Sequence, residues 1–253
     1  MKIFFALFFL GLVQGLTEFL PVSSSGHLVL FSKIFGVEES LFLSIILHCA
    51  TLLSIVVVFR KKVWALVCHP FSKEALSIIV ATIPTGIIAL VMMPLIKNSF
   101  DGSFLPVCFL ISALLLFLCE TVFARKENSA LDMKTAFIMG LAQGFAVFPG
   151  VSRSGATISA GLMCGKNKKE IAEFSFLMSI PIIILSLIME IFEVASGKTT
   201  LQIEILPTVT AFVIAFLVGV FAIKTMMKLT EKAKLKWFSI YLCVLSVVTF
   251  FVL

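Results

Sequence analysis

The sequence predicts an all-α polytopic integral membrane protein: an inverted-topology repeat of two halves, with six transmembrane helices plus two re-entrant helical hairpins. Three observations carry this expectation. The 253-residue chain is 60% hydrophobic and only 13% charged, with a mean hydropathy of +1.15, which leaves too little polar surface to cover a soluble domain of that length. Six apolar runs are long enough to cross a bilayer. Finally, one polar, glycine-rich block occurs twice: GLVQGLTEFLPVSSSGHL at 11–28 aligns without a gap to GLAQGFAVFPGVSRSGAT at 140–157. The matched residues include Gln14 with Gln143, Gly15 with Gly144, Ser23 with Ser152, Ser25 with Ser154 and Gly26 with Gly155. An internal duplication explains them, and polar residues recurring inside apolar sequence imply a site built from both copies.

The first element is a helical stretch at 3–20, broken by Pro21 and followed by a short stretch at 22–35. The apolar run behind Lys2 has the look of a signal peptide, but no A-x-A-like site follows it and the duplicated block begins directly behind it, so it is expected to be retained. Three spans follow at about 40–59, 74–96 and 104–124. The second copy repeats the plan: a stretch at 134–148, a break at Pro149 and Gly150, a short stretch at 151–164, then spans at about 170–195, 205–226 and 236–253. Proline frees backbone groups that lipid cannot satisfy, so both breaks must be buried in protein or face water. Together the halves make a single membrane domain over 1–253, repeat 1 covering about 1–125 and repeat 2 about 130–253.

Loop charge gives the orientation. Arg60, Lys61, Lys62 and Lys73 place the loop after the first span inside; Arg125, Lys126 and Lys134 do the same after the third. Lys166, Lys168 and Lys169 put both ends of the second broken segment inside, and Lys228, Lys232, Lys234 and Lys236 place the last connection there too. Both termini are then outside, and the two copies run antiparallel. This clustering also accounts for the net charge of +6, so no nucleic-acid partner is expected. The six cysteines (Cys49, Cys68, Cys108, Cys119, Cys164, Cys243) lack C-x-x-C spacing, and neither disulfides nor a zinc site is expected.

The broken segments carry the chemistry. Glu18 is a carboxylate flanked by apolar residues, and Gln14 lies four positions earlier on the same helix face. An intramembrane carboxylate is costly, which makes Glu18 a candidate metal ligand or proton acceptor, the alternative being a helix cap. Carboxylate and amide oxygens suit a divalent cation, Mg²⁺ or Ca²⁺. Ser23, Ser24, Ser25 and Gly26 offer hydroxyls and backbone N–H groups to an anion at a helix start, although such a triplet also serves simply as an N-cap. His27 is a candidate acid or base; His48, alone on a span face, and His69, beside Pro70, read as structural. Arg153 stands where the first copy has Ser24, and its planar fork suits bidentate phosphate binding, with Ser152, Ser154 and Thr157 adding hydroxyls. The alternative is a structural Arg153 paired with Glu18.

QGLTEFLPVSSSGH and PGVSRSGAT resemble the two signature blocks of the bacterial undecaprenyl-diphosphatase family, the membrane phosphatases also called bacitracin-resistance proteins. The segment FSFLMSIP at 174–181, the chain length and the inverted topology extend the likeness over most of the chain. The resemblance implies a hydrolase of the bacterial inner membrane that converts undecaprenyl diphosphate to undecaprenyl phosphate with a divalent cation, recycling the lipid carrier of peptidoglycan synthesis and conferring bacitracin resistance. Its partners would be the polyprenyl diphosphate and the bilayer; a homodimer is compatible with it. The family's first block has Glu or Gln, three residues, then Glu; Gln14 and Glu18 fit the Gln form, with one negative charge fewer than the Glu form. The phosphatidic-acid phosphatase type 2 superfamily shares S-G-H and S-R elements, but its nucleophilic His falls where this chain has Ser159. The stretch GLMCGKN at 161–167 does not make a nucleotide-binding P-loop.

On this reading Arg153, with Ser152, Ser154, Thr157, Ser25 and Gly26, binds the phosphates. Glu18, with Gln14, holds the cation or activates the nucleophile. Ser24 is the first choice for attack and Ser23 the second, and His27 shuttles protons in a cavity open to the outer face. The residues leave open a seryl nucleophile or a metal-activated water. The rival class is a secondary transporter or lipid flippase, since inverted repeats with broken helices build those too.

Overall fold

The computed structural model describes residues 2–36, 41–97, 102–121, 129–196, 205–232 and 235–252. Arg125, Lys126 and Lys234, used above for orientation, lie outside them. The described residues form helices α1 (Lys2–Thr17), α2 (Ser24–Phe35), α3 (Leu41–Val58), α4 (Arg60–Cys68), α5 (Lys73–Lys97) and α6 (Leu105–Thr121) in the first half. The second half contributes α7 (Met133–Phe145), α8 (Arg153–Met163), α9 (Lys168–Ala195), α10 (Ile205–Lys232) and α11 (Lys236–Val252). Helices α5, α9 and α10 are each long and apolar enough to cross a membrane, whereas α6 and α11, at 17 residues each, are shorter. The outward face of α5 carries Ile79, Ile83, Ile87, Leu90 and Val91, each at least half exposed. An exposed stripe of that size suits lipid, not water. The chain is a multi-pass membrane protein.

Both expected helical stretches before the breaks are shorter than their apolar sequence. Helix α1 ends at Thr17, three residues before the expected limit, because Pro21 bars Leu20 from helical backbone and the chain turns over Glu18–Val22. Helix α7 likewise ends at Phe145. Glu18 therefore sits in the turn, with its backbone N–H still bonded to the Gln14 carbonyl at 3.0 Å. A second difference concerns 60–68, expected as a basic loop. It is the helix α4, bent 86° from α3 at Phe59, with no buried residue and with Trp64 and Val67 exposed. Its helix-forming residues and amphipathic ends suit the membrane interface.

Each broken segment folds back on itself. Phe9 of α1 packs its ring on Phe31 and Phe35 of α2, centroids 5.1 and 5.2 Å apart. At the other copy, Asp132 caps the start of α7 and pairs with Lys166, just past the end of α8, at 2.6 Å. Asn167 N–H donates to the Ser129 carbonyl in the same place (3.1 Å).

The halves cross over. Helix α1 packs along α10, and its counterpart α7 packs along α5. Glycines make both seams: a methyl group on Gly11 would meet the Ala211 carbonyl at 2.6 Å, and one on Gly140 the Ala81 carbonyl at 2.2 Å. Such close backbone approach is how helices pack where no hydrophobic effect drives them together. Thr85 reinforces the second seam by donating to the Gly140 carbonyl (2.8 Å) and accepting from Gln143 (3.3 Å). At the remaining flank α6 and α11 run antiparallel, Ser239 donating to the Ala113 carbonyl and Ser246 to that of Pro106.

Candidate active site

The two breaks meet in the interior. A methyl group on Gly26, at the start of α2, would lie 2.8 Å from Gly150 in the second break, and one on Gly155, at the start of α8, would lie 3.4 Å from Pro21 in the first. Ser154 closes the joint by donating to the Leu20 carbonyl (3.0 Å). The positive φ of Gly150, 94°, is one that a side chain would resist, and Ser112 of α6 ties it down by donating to its carbonyl and accepting from Ser152 N–H.

The duplicated serines do the same local work in both copies. Ser23 Oγ accepts from Gly26 N–H at 3.3 Å and Ser152 Oγ from Gly155 N–H at 3.1 Å, so each caps a short helix. Ser25 lies 3.4 Å from Ser23 Oγ, and Ser154 3.5 Å from Ser152 Oγ. Thr157 is turned away into its own helix and toward Ser175 of α9 (2.6 Å).

Glu18, which the second copy replaces with Val147, is the point of convergence. Its side chain is 2% exposed. Ser24 donates to Oε2 at 2.5 Å, Gln14 Nε2 donates to the same oxygen at 3.0 Å, and the Arg153 guanidinium forms an ion pair with Oε1. Four of the expected residues, Gln14, Glu18, Ser24 and Arg153, therefore share one carboxylate. Phe19 keeps the turn in place by burying its ring edge-on against Phe176 of α9. A charge pair this buried is stable only because every Glu18 oxygen is engaged.

His27 is placed differently from the expectation that it faces the phosphates. Its Nδ1 lies 2.7 Å from the Ser23 carbonyl and its Nε2 2.6 Å from the Tyr241 hydroxyl of α11. No motif marks Tyr241; its place at the site arises because α11 packs along α6, whose Phe109 also meets the His27 ring. His48 makes a local bond with Ser44 on α3 (3.2 Å), and His69 ends α4 at the surface.

The family model for bacitracin resistance protein BacA matches residues 7–248. The chain belongs to this family. Curated relatives include the undecaprenyl-diphosphatase of Carboxydothermus hydrogenoformans, 41% identical over 245 residues covering 94% of this chain and 93% of the relative. That of Parabacteroides distasonis is 38% identical over 251 residues, covering 95% and 94%, and that of Christiangramia forsetii 41% over 245 residues, covering 92% and 91%. The BacA match runs from within α1 to within α11 and so includes both helix breaks.

Proposed function

We propose that this chain is an undecaprenyl-diphosphate phosphatase, hydrolysing the phosphoanhydride of the lipid carrier to give undecaprenyl phosphate and inorganic phosphate for reuse in cell-wall synthesis. The observation that carries the mechanism is the single carboxylate of Glu18, bonded by the Ser24 hydroxyl on one oxygen and by the Arg153 guanidinium on the other. A diphosphate entering the site competes with Glu18 for the guanidinium fork. Released from its cation, the carboxylate is free to take the Ser24 proton as Ser24 Oγ attacks the terminal phosphorus. The anhydride P–O bond breaks and the electron pair leaves on the oxygen of undecaprenyl phosphate, while Arg153 holds the charge that develops on the terminal phosphoryl oxygens. Water then cleaves the phosphoseryl ester, with Glu18 returning the proton to Ser24. The starts of α2 and α8, which carry Ser24 and Arg153, meet at this carboxylate, and a helix start favours an anion. Ser23, Ser25, Gly26, Ser152 and Ser154 belong to those two starts and are assigned to the phosphates on that ground. Thr157 supports α8 from behind.

Among the described residues Gln14 Oε1 is a buried acceptor with no partner, beside Glu18. An orphaned amide oxygen next to a carboxylate fits Mg²⁺ or Ca²⁺, with substrate phosphates completing the shell, since Mg²⁺ commonly binds through one or two carboxylates plus phosphate. Glu18 and Gln14 would hold the ion, which would neutralise the diphosphate charge.

We place the molecule as an inverted repeat with six spans and two re-entrant hairpins that meet near the midplane, both termini outside. Links at the helix ends support one common basic face: Lys62 pairs with Glu74 and Glu173, Asp132 with Lys166, and Glu120 accepts from Lys236 N–H. The site then opens to the outer face, where spent carrier arises. Phosphate release from undecaprenyl diphosphate by the purified chain in detergent tests the reaction, because no gradient exists there to drive transport. Ser24→Ala is expected to lower kcat at least a thousandfold, and chelation with EDTA to stop turnover. Full activity of a folded Ser24→Ala protein would exclude the seryl route. External labelling of a single cysteine at position 130 in intact cells would overturn the orientation.

A further inference from the structure

We infer that Tyr241 is a positioning residue for this reaction: its hydroxyl holds His27 as the neutral Nδ1–H imidazole, whose ring clamps the Ser23 carbonyl and so sets Ser24 against Glu18. The inference rests on the hydrolytic reading above. It gives His27 a holding role in place of proton transfer.

The proton positions follow from chemistry. A carbonyl oxygen only accepts, so the 2.7 Å contact between His27 Nδ1 and the Ser23 carbonyl requires the proton on Nδ1. In the neutral ring Nε2 then presents a lone pair, and the Tyr241 hydroxyl at 2.6 Å donates to it. Neither ring nitrogen is left for Glu18, Ser24 or a phosphate. The ring is held on its faces as well: Tyr241 stacks nearly parallel to it, 9° between planes at 5.7 Å, and Phe109 meets it edge-on at 5.7 Å.

Ser23 has φ 68°, the one positive value at a non-glycine among the described residues. Such a conformation persists only where the surroundings over-determine it. The duplicated copy supplies the internal control. Ser152 caps its helix through the same bond to a glycine N–H yet takes φ −76°, and the position matching His27 is Ala156, with no ring to pull on the carbonyl. The left-handed turn therefore goes with the imidazole clamp and not with the serine cap. Ser24 is the residue directly after that turn, so its hydroxyl inherits its direction from Ser23. Tyr241 itself is 45% exposed on α11 with its hydroxyl turned inward to His27, so one hydroxyl at the lipid-facing edge governs a half-buried serine.

The full-length protein, purified in detergent, decides this with two readouts. Its histidines number three, so ¹⁵N-histidine labelling resolves His27, assigned by the signal lost in His27→Gln. The expected wild-type signal is the Nδ1–H tautomer, changing in Tyr241→Phe; an Nε2–H or cationic ring in the wild type would overturn the inference without any variant. Kinetically, Tyr241→Phe should lower kcat about tenfold with KM unchanged and little change in thermal stability. His27→Gln, whose amide donates and accepts but cannot titrate, should retain at least tenfold more activity than His27→Ala. Equal loss in the two His27 variants, or a wild-type kcat in Tyr241→Phe, would refute the positioning role. A wild-type protein that releases no phosphate would sink the hydrolytic reading instead, while the nitrogen signals would still report on the clamp.

Discussion

Glu18 and Arg153, 135 positions apart, form an ion pair that joins the two halves of the chain at their helix breaks. The carboxylate belongs to the first copy of the duplicated block and the guanidinium to the second, at the position where the first copy carries Ser24. Divergence at this position and at position 18, where the second copy has Val147, thus set the Ser24 hydroxyl and the Arg153 guanidinium on opposite oxygens of one acid. Neither half contains the site alone.

Arg153→Lys keeps the charge and loses the fork. A guanidinium engages a phosphate through two parallel N–H bonds, an ammonium through a point contact. Turnover of undecaprenyl diphosphate is expected to fall roughly a hundredfold or more, the loss typical of one transition-state donor. Near wild-type phosphate release by a folded Arg153→Lys protein would make the ion pair purely structural.

The glycine seams make a prediction about stability rather than chemistry. Gly140→Ala drives a methyl group into the Ala81 backbone, where no side chain can give way, and should destabilise the fold by about 1–3 kcal/mol. Gly86, on the same α5 that receives Gly140, has open space where its methyl would go. Gly86→Ala should therefore be neutral or stabilising by up to about 1 kcal/mol, as expected for alanine in a helix interior. Thermal unfolding of the two proteins in one detergent compares them, and equal losses would mean that the seam does not hold α7 to α5.

Acid should loosen the loop that precedes α7. The Lys166 ammonium, followed by the Thr135 N–H, holds the Asp132 carboxyl well below the usual carboxylate range. A folded-state pKa below the unfolded value contributes stability above the unfolded pKa of about 3.9, and this contribution is lost as pH falls toward the folded value. Between about pH 5 and pH 3 the wild type should lose more thermal stability than Asp132→Asn, which has no such carboxylate to protonate. Parallel pH dependences in the two proteins would count against the pairing.

Much of the chain was legible because hydropathy and charge are local properties. Runs of apolar residues at 74–96, 170–195 and 205–226 had to become helices that bury their backbone groups, and α5, α9 and α10 follow them closely. The repeat made the blocks around Gln14 and Gln143 stand out, since polar residues recurring in apolar sequence have few reasons to persist, and within those blocks Glu18, Ser24 and Arg153 were legible by their own charge and chemistry. Helix α4 was missed because its charges masked helix-forming residues that bury nothing.

The sequence by itself determined the class of protein, the two breaks and which residues could take part in chemistry, because apolar length, proline and buried charge act through the chain's own neighbourhood. Only the tertiary structure decided what faces what. That Arg153 meets Glu18 and that His27 turns to Tyr241 both depend on elements distant in sequence packing side by side. The reason is physical: a hydrogen bond needs its partners within about 3 Å and correctly directed, and no spacing along one helix fixes the direction of a side chain on another.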